Sequence, residues 1–161
     1  MIFVVQLKII DSRDKWDSNY DALPIKFNDK YILVAADGGG MILFKKKSAK
    51  ELVILGCNII YEGLDNLTML EYLEELYLND NPKLDDWACD RIARQFRNSK
   101  RLAVLDISYN PLITHKGVET LHRIKSLKRL VITGTQAAQV DFLELLIMLF
   151  KDVNPDCEIV T

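Results

Sequence analysis

Cysteine is scarce and scattered in this chain: Cys57, Cys89 and Cys157 are the only three in 161 residues, and no two form a CxxC pair. Such a set argues against a disulfide framework and a thiolate zinc site alike, so the protein is expected to work reduced. Neither charge is in clear excess. Lys and Arg number 21 against 23 Asp and Glu, a net charge of −2. No whole-chain basic field exists to hold a nucleic-acid backbone, and nucleic acid is not expected as a partner. Long apolar runs are missing too. The opening MIFVVQLKII and the stretch from Leu143 to Phe150 are the longest, well short of the roughly 20 residues that cross a bilayer. The first residues carry neither a basic n-region with a small-residue cleavage site nor an Arg- and Ser-rich presequence helix. What remains is 49% apolar and 27% charged, an ordinary soluble composition with enough apolar surface for one core.

One pattern organises the chain: Leu, two residues, Leu, one residue, Leu or Ile, two residues, then Asn or Thr. It occurs as Leu73, Leu76, Leu78, Asn81, as Leu102, Leu105, Ile107, Asn110, and as Leu127, Leu130, Ile132, Thr135. This is the leucine-rich repeat. Leu76, Leu105 and Leu130 are the central leucines. A further step, intermediate in length between the two that separate them, reaches Cys157, so Cys157 to Val160 is expected as a last strand. An earlier copy lies in Glu51 to Asn58, where four consecutive apolar positions leave open whether Cys57 or Asn58 fills the Asn position.

After each strand the apolar spacing changes to three and four, the mark of one helix face. It does so at Gly63, Leu64, Leu67 and Leu70, at Ala88, Cys89, Ile92 and Phe96, and at Gly117, Val118, Leu121 and Ile124. Asp85 and Thr114 stand where N-caps are needed. The expected fold is α/β: a short leucine-rich-repeat solenoid with a parallel concave sheet and helices on the convex side. Asn81 and Asn110 are expected to bond backbone groups where the chain leaves the sheet. A helix from about Val140 to Phe150 is the expected C-terminal cap. Lys30 to Ala36, with the turn DGGG at Asp37 to Gly40, is the N-terminal one. Residues 1–29 are expected as an arm and 30–161 as the repeat domain with its caps.

No constellation suggests catalysis. The glycines of DGGG lack the spacing of a phosphate loop. His115 and His122 stand about two helical turns apart, too far to share an ion without other ligands, and no flanking Cys or carboxylate completes a site. Asp80, Asp85 and Asp86 lack the oxygen spacing of a calcium loop. Cys89 and Cys157 occupy leucine-type positions and read as core thiols. Neither cofactor nor metal is expected. The basic residues Arg91, Arg94, Arg97, Lys100 and Arg101 read as a solvated convex face, since Asp86 and Asp90 share the helix. The concave face is the better binding candidate. By the period of two along a strand, Glu75, Tyr77, Asn79, Asp80, Asp106, Ser108, Tyr109, Arg129 and Val131 leave the sheet on the side away from the core. Two tyrosines, apolar patches and charges of both signs suit a protein partner.

Four segments carry a family resemblance: CNIIYEGLDNL from Cys57, LDDWACDRI from Leu84, ITHKGVETL from Ile113 and the ending NPDCEIV. With them the chain resembles the mitochondrial family of ATP synthase subunit s (coupling factor B) and distal membrane arm assembly component 2 of respiratory complex I. YEGLDNL and DDW look like the complex I branch, and WDSNYDALPIKFNDKY from Trp16 is similar to the arm of the subunit s branch. The resemblance implies a non-enzymatic scaffold, peripheral to the matrix side of the inner membrane, that binds complex I membrane-arm subunits or assembly factors. Its alternative is a regulatory coupling component of the ATP synthase. A ubiquitin-ligase adaptor is disfavoured because no F-box helices precede the repeats.

Overall fold

The computed structural model describes residues 4–6, 22–27, 30–35, 43–44, 50–55, 59–65, 67 and 70–161. Its strands are β1 (Val4–Gln6), β2 (Ala22–Phe27), β3 (Lys30–Ala35), β4 (Leu43–Phe44), β5 (Glu51–Leu55), β6 (Glu75–Tyr77), β7 (Val104–Asp106), β8 (Arg129–Val131) and β9 (Glu158–Val160). Its helices are α1 (Asp86–Phe96), α2 (His115–Thr120) and α3 (Val140–Val153). Strands β1, β5, β6, β7, β8 and β9 form one parallel sheet in that order, and β2, β3 and β4 form a separate antiparallel one. The chain is therefore α/β, with crossovers between successive strands of the main sheet. The DGGG turn lies outside the described residues.

Register follows the leucine pattern. Leu52, Leu76, Leu105, Leu130 and Ile159 lie in line across five strands. The first four, with Leu78, Ile107 and Ile132, are buried in one core with Ala88, Cys89, Ile92, Phe96 and Val118 from the helices. The alignment also settles the count in the first copy: with Leu52 opposite Leu76, it is Cys57, itself outside the described residues, that corresponds to Asn81. The last copy is corrected. Ile159, not Cys157, continues the line of Leu105 and Leu130, so the final step is longer than the spacing of the leucines suggested. Cys157 stands just ahead of β9 and is only half-buried.

Unit length decides what fills each crossover. The steps from Leu76 to Leu105 and from Leu130 to Ile159 are the long ones, and those from Leu52 to Leu76 and from Leu105 to Leu130 are shorter. The two long steps hold α1 and α3, of 11 and 14 residues. The step from Leu105 to Leu130 holds the six-residue α2 continued by a 3-10 turn over Leu121–Arg123. The shortest, from Leu52 to Leu76, contains a 3-10 turn at Tyr61–Leu64 over the start of the helix expected from Gly63 to Leu70, of which Asn66, Thr68 and Met69 lie outside the described residues. A 3-10 segment rises about 2.0 Å per residue against about 1.5 Å for an α-helix, so it spans the same crossover with less chain.

Side-chain caps start α1 and α2 as their sequences require. The Asp85 carboxylate accepts the N–H groups of Trp87 and Ala88 at 3.1 and 3.3 Å, and Thr114 Oγ1 accepts that of Lys116 at 3.2 Å. A second acid, Asp86, ties the two starts together. Thr114 donates its N–H to Asp86 Oδ1 and its hydroxyl to Oδ2, each at 2.7 Å. Gly117 makes room for this carboxylate: a Cβ there would collide with Oδ1 and come within 2.9 Å of Asp86 Cα.

The Asn ladder closes the other side of the turn. Asn81 Nδ2 donates to the carbonyls of Leu78 and, one unit back, Ile54, both at 2.8 Å. Asn110 Nδ2 does the same with Ile107 at 2.8 Å and Leu78 at 2.9 Å, while its Oδ1 accepts the Asn81 N–H at 2.8 Å. Thr135 donates within its own unit, to the Ile132 carbonyl. Asn154 donates across to the Ile124 carbonyl at 2.7 Å.

Candidate functional site

One face of the main sheet packs on the helices; among the described residues, no helix packs on the other. Register sets two rows on it: Glu75, Val104, Arg129 and Glu158, then Tyr77, Asp106, Val131 and Val160. At strand spacing, each row of four spans about 14 Å. Glu158 and Val160 come onto this face through the corrected register of β9. The alternation E-I-V around one apolar centre was the signal that could have found them.

Short contacts organise the side chains. Tyr77 donates its hydroxyl to Glu75 Oε2 at 2.7 Å, and Arg129 lies 3.8 Å from the Glu158 carboxylate. Asp106 Oδ1 accepts both the N–H and the hydroxyl of Ser108, at 2.9 and 2.6 Å. Ser108 is consequently covered, with 4% of its surface exposed. It belongs to the support of Asp106 rather than to the outward surface expected of it. Glu75, Tyr77, Asn79, Asp106 and Val131 are half-buried, and Asp80, Tyr109 and Arg129 are exposed.

The C-terminal margin of the face is conformationally strained. Asp80, Tyr109 and Gly134 precede the ladder residues of successive units, and all three are left-handed, with φ of 58°, 56° and 71°. Glycine takes this conformation freely, whereas tyrosine adopts it at a cost of roughly 1–2 kcal/mol. Tyr109 is nonetheless 58% exposed. Its ring lies over Gly134, where a Cβ would come within 2.7 Å of Cδ1.

The other candidates have structural partners. Asp85 caps α1 and Asp86 holds Thr114. His122 Nδ1 engages the Glu119 carbonyl, and His115 is the first residue of α2. Among the described residues, no group of three or more His, Cys, Asp or Glu could hold a metal ion. Arg91 pairs with Asp65 at 2.9 Å and lies over the Tyr61 ring, and Arg94 pairs with Asp90 at 2.7 Å. Neither is free to join a basic docking face. The Asp86–Thr114–Gly117 arrangement escaped the sequence reading, because its members are ordinary helix-start residues until two units are set side by side.

Cys89 is fully buried, and burial, reinforced by Asp86, Asp85 and Asp90, drives its thiol far above the ordinary range. Cys157 is pushed up to about 11, chiefly by burial, with Lys128 pulling it back in part. The thiolate is the reactive form. Native protein should therefore leave Cys89 unlabelled by a bulky maleimide at neutral pH, while labelling of Cys157 should be slow and rise about tenfold per pH unit up to its titration. Mass-mapped labelling checks this, and rapid modification of Cys89 without denaturant would contradict the packing.

The architecture defines an α/β protein of stacked strand and crossover units, with one sheet face closed by helices and the other presenting polar and aromatic side chains. Comparison with known proteins supplies the relatives. The chain is 32% identical over 139 residues to distal membrane arm assembly component 2 of Drosophila melanogaster, covering 86% of this chain and 41% of that protein. It is 23% identical over 147 residues to mitochondrial ATP synthase subunit s of Bos taurus, covering 91% of this chain and 64% of that protein. The chain thus spans less than two thirds of either relative. No family model matches it. The chain is related to the family of ATP synthase subunit s and distal membrane arm assembly component 2. One relative is named for the assembly of a distal membrane arm and the other as a mitochondrial ATP synthase subunit. Among the described residues, no helix is long and apolar enough to cross a membrane.

Proposed function

We propose that this chain is a leucine-rich-repeat solenoid acting as a non-enzymatic scaffold, and that its concave face holds a subunit or assembly factor of the complex I distal membrane arm. The localisation that goes with this reading is the matrix side of the inner membrane. The observation that carries the binding mode is Tyr109: the left-handed turn it shares with Asp80 and Gly134 holds a large aromatic side chain 58% exposed at the margin of a polar-aromatic sheet face, and exposed aromatic side chains are common anchors of protein interfaces. Glu75, Tyr77, Asn79, Asp80, Asp106, Arg129 and Val131 complete the contact surface, with Ser108 holding Asp106. The address within mitochondria comes from the relatives. Both have names that fit protein-complex components rather than enzymes. The alternative, a regulatory coupling role in the ATP synthase, is favoured by the subunit s match over 91% of this chain.

Depleting the protein should lower fully assembled complex I and leave partial assemblies lacking the distal membrane arm, with ATP synthase near normal. Native gels of mitochondria read this directly. Re-expressed wild type should restore the complex. Tyr109→Gly, which relieves the left-handed strain, should accumulate as well as the wild type yet fail to restore it. A selective ATP synthase defect with intact complex I would move the assignment to the alternative, and full rescue by Tyr109→Gly would remove Tyr109 from the contact.

A further inference from the structure

Two consecutive connections into the sheet carry a charged patch of which the concave-face reading uses Arg129 alone. The segment 97–101 reads RNSKR and the segment 123–129 reads RIKSLKR, together seven cations and no acid in a chain with net charge −2. Hydrogen bonds set the two connections side by side. Ser126 Oγ donates to the Leu102 carbonyl at 2.8 Å, and the N–H groups of Lys128 and Arg129 donate to the Ala103 carbonyl at 2.8 and 3.0 Å. All seven cationic side chains are exposed. Helix C-termini favour a cation in the last turn, which accounts for one or two of them but not for seven.

Acids border the patch without neutralising its centre. Asp90 holds Arg94 and, at 3.6 Å, Arg123. Asp156 lies 3.0 Å from Lys128, and Glu158 meets Arg129. Arg101 lies over the ring of Tyr72, 4.9 Å from its centroid. Arg97, Lys100 and Lys125 make no ion pair with any described residue.

We infer that this rim docks on an anionic phospholipid bilayer. Exposed cations on long side chains, with no fixed acceptor geometry, match a diffuse array of phosphates, and each adds about a fivefold gain in partition near such a surface. A specific acidic peptide is better served by arginine forks preset by neighbouring groups, which the central cations lack. A nucleic-acid strand is disfavoured by the net charge of −2 and by the absence of a basic field beyond the rim. Tyr72, half-exposed beneath Arg101 at the patch edge, has the amphipathic character suited to the headgroup zone. The patch lies where the chain enters β7 and β8, so the open sheet face stays available to a protein. The inference stands on charge placement alone and does not depend on which mitochondrial complex the protein serves.

The test is cosedimentation of the full chain with phosphatidylcholine vesicles, pure or containing one third phosphatidylglycerol. Binding is expected only to the anionic vesicles, and it should fall steeply as salt rises above ~0.1 M. Combining Arg97→Glu, Lys100→Glu and Lys125→Glu should lower partition at least on the order of 100-fold. Lys83→Glu with Lys116→Glu, beyond the opposite ends of the strands, should leave it unchanged, and unaltered melting of both variants shows that the fold is intact. Equal binding to neutral vesicles, or equal loss in both variants, overturns the inference. Rim-dependent binding to an acidic protein or to RNA without vesicle binding overturns it as well.

Discussion

Asn110→Asp should abolish cooperative folding at neutral pH. The side chain is fully buried, and its amide nitrogen donates to two carbonyls in different units, Leu78 and Ile107, with Ser108 at 3.3 Å as a third. Replacing that nitrogen by a carboxylate oxygen turns a donor into a charged acceptor facing those carbonyls. Each lost buried hydrogen bond and orphaned carbonyl costs about 1–3 kcal/mol, before the cost of an uncompensated buried charge is added. The total, above about 5 kcal/mol, rivals the whole stability of a typical domain. Burial and the facing carbonyls would raise the introduced carboxyl's titration in the fold. Its penalty therefore grows as pH rises through the ordinary carboxylate range and eases below it. Urea unfolding followed by circular dichroism measures the effect, and a midpoint near that of the wild type would remove the ladder from the account of stability.

The second large effect is expected at Gly117. The Cβ of Gly117→Ala would collide with Asp86 Oδ1 and sit 2.9 Å from Asp86 Cα, so the carboxylate must leave Thr114 and the backbone must yield. Overpacking of about 1–3 kcal/mol, together with two charge-assisted hydrogen bonds, brings the expected loss to about 3 kcal/mol. Asp86→Ala should cost about 2 kcal/mol by losing the same bonds. Because both changes remove one arrangement, the double variant should be less destabilised than the sum by about 1–2 kcal/mol, as contacting residues are. A denaturation cycle of the four proteins decides this, and strict additivity would show that the two residues do not act together. The DDW and THKG strings that mark the family resemblance are thus two halves of one inter-unit fastening.

Local chemistry was legible in the sequence, and long-range register was less so. Asp85 and Thr114 were readable as caps because a cap is set by a few neighbouring residues. Leu76, Leu105 and Leu130 were readable as core because the repeat pattern fixes their face. Cys157 was assigned to Ile159's position because the step from Leu105 to Leu130 and the longer one from Leu76 to Leu105 bracket the step that reaches it. Nothing local in so short a strand breaks that tie. The helix expected from Gly63 failed for a related reason, since apolar spacing of three and four fits a 3-10 turn and a helix alike when the crossover is short. Ser108 was assigned to the correct strand extension, but its burial depends on Asp106 drawing its hydroxyl in. Glu75, Tyr77, Asp106, Arg129 and Val131 could be placed by alternation alone, whereas Asp80 and Tyr109 are exposed at left-handed turns that alternation does not give.

The parallel pairing of β1 with β5 bears on the order in which the chain assembles. Neighbouring strands from β5 to β9 are joined through single crossovers of similar length, whereas Val4 meets Val53 across nearly twice as much chain. Loop closure becomes costlier with length, though only by about (3/2)RT ln 2 for each doubling. A sheet whose inner strands close shorter loops can nucleate at any adjacent pair and extend outward. The β2–β3 hairpin, closing within the long connection, shortens the distance β1 still has to span. Strand β1, which precedes the others of this sheet in chain order, is on this account the last to take its place, and until it does the edge of β5 is the growing end of the sheet.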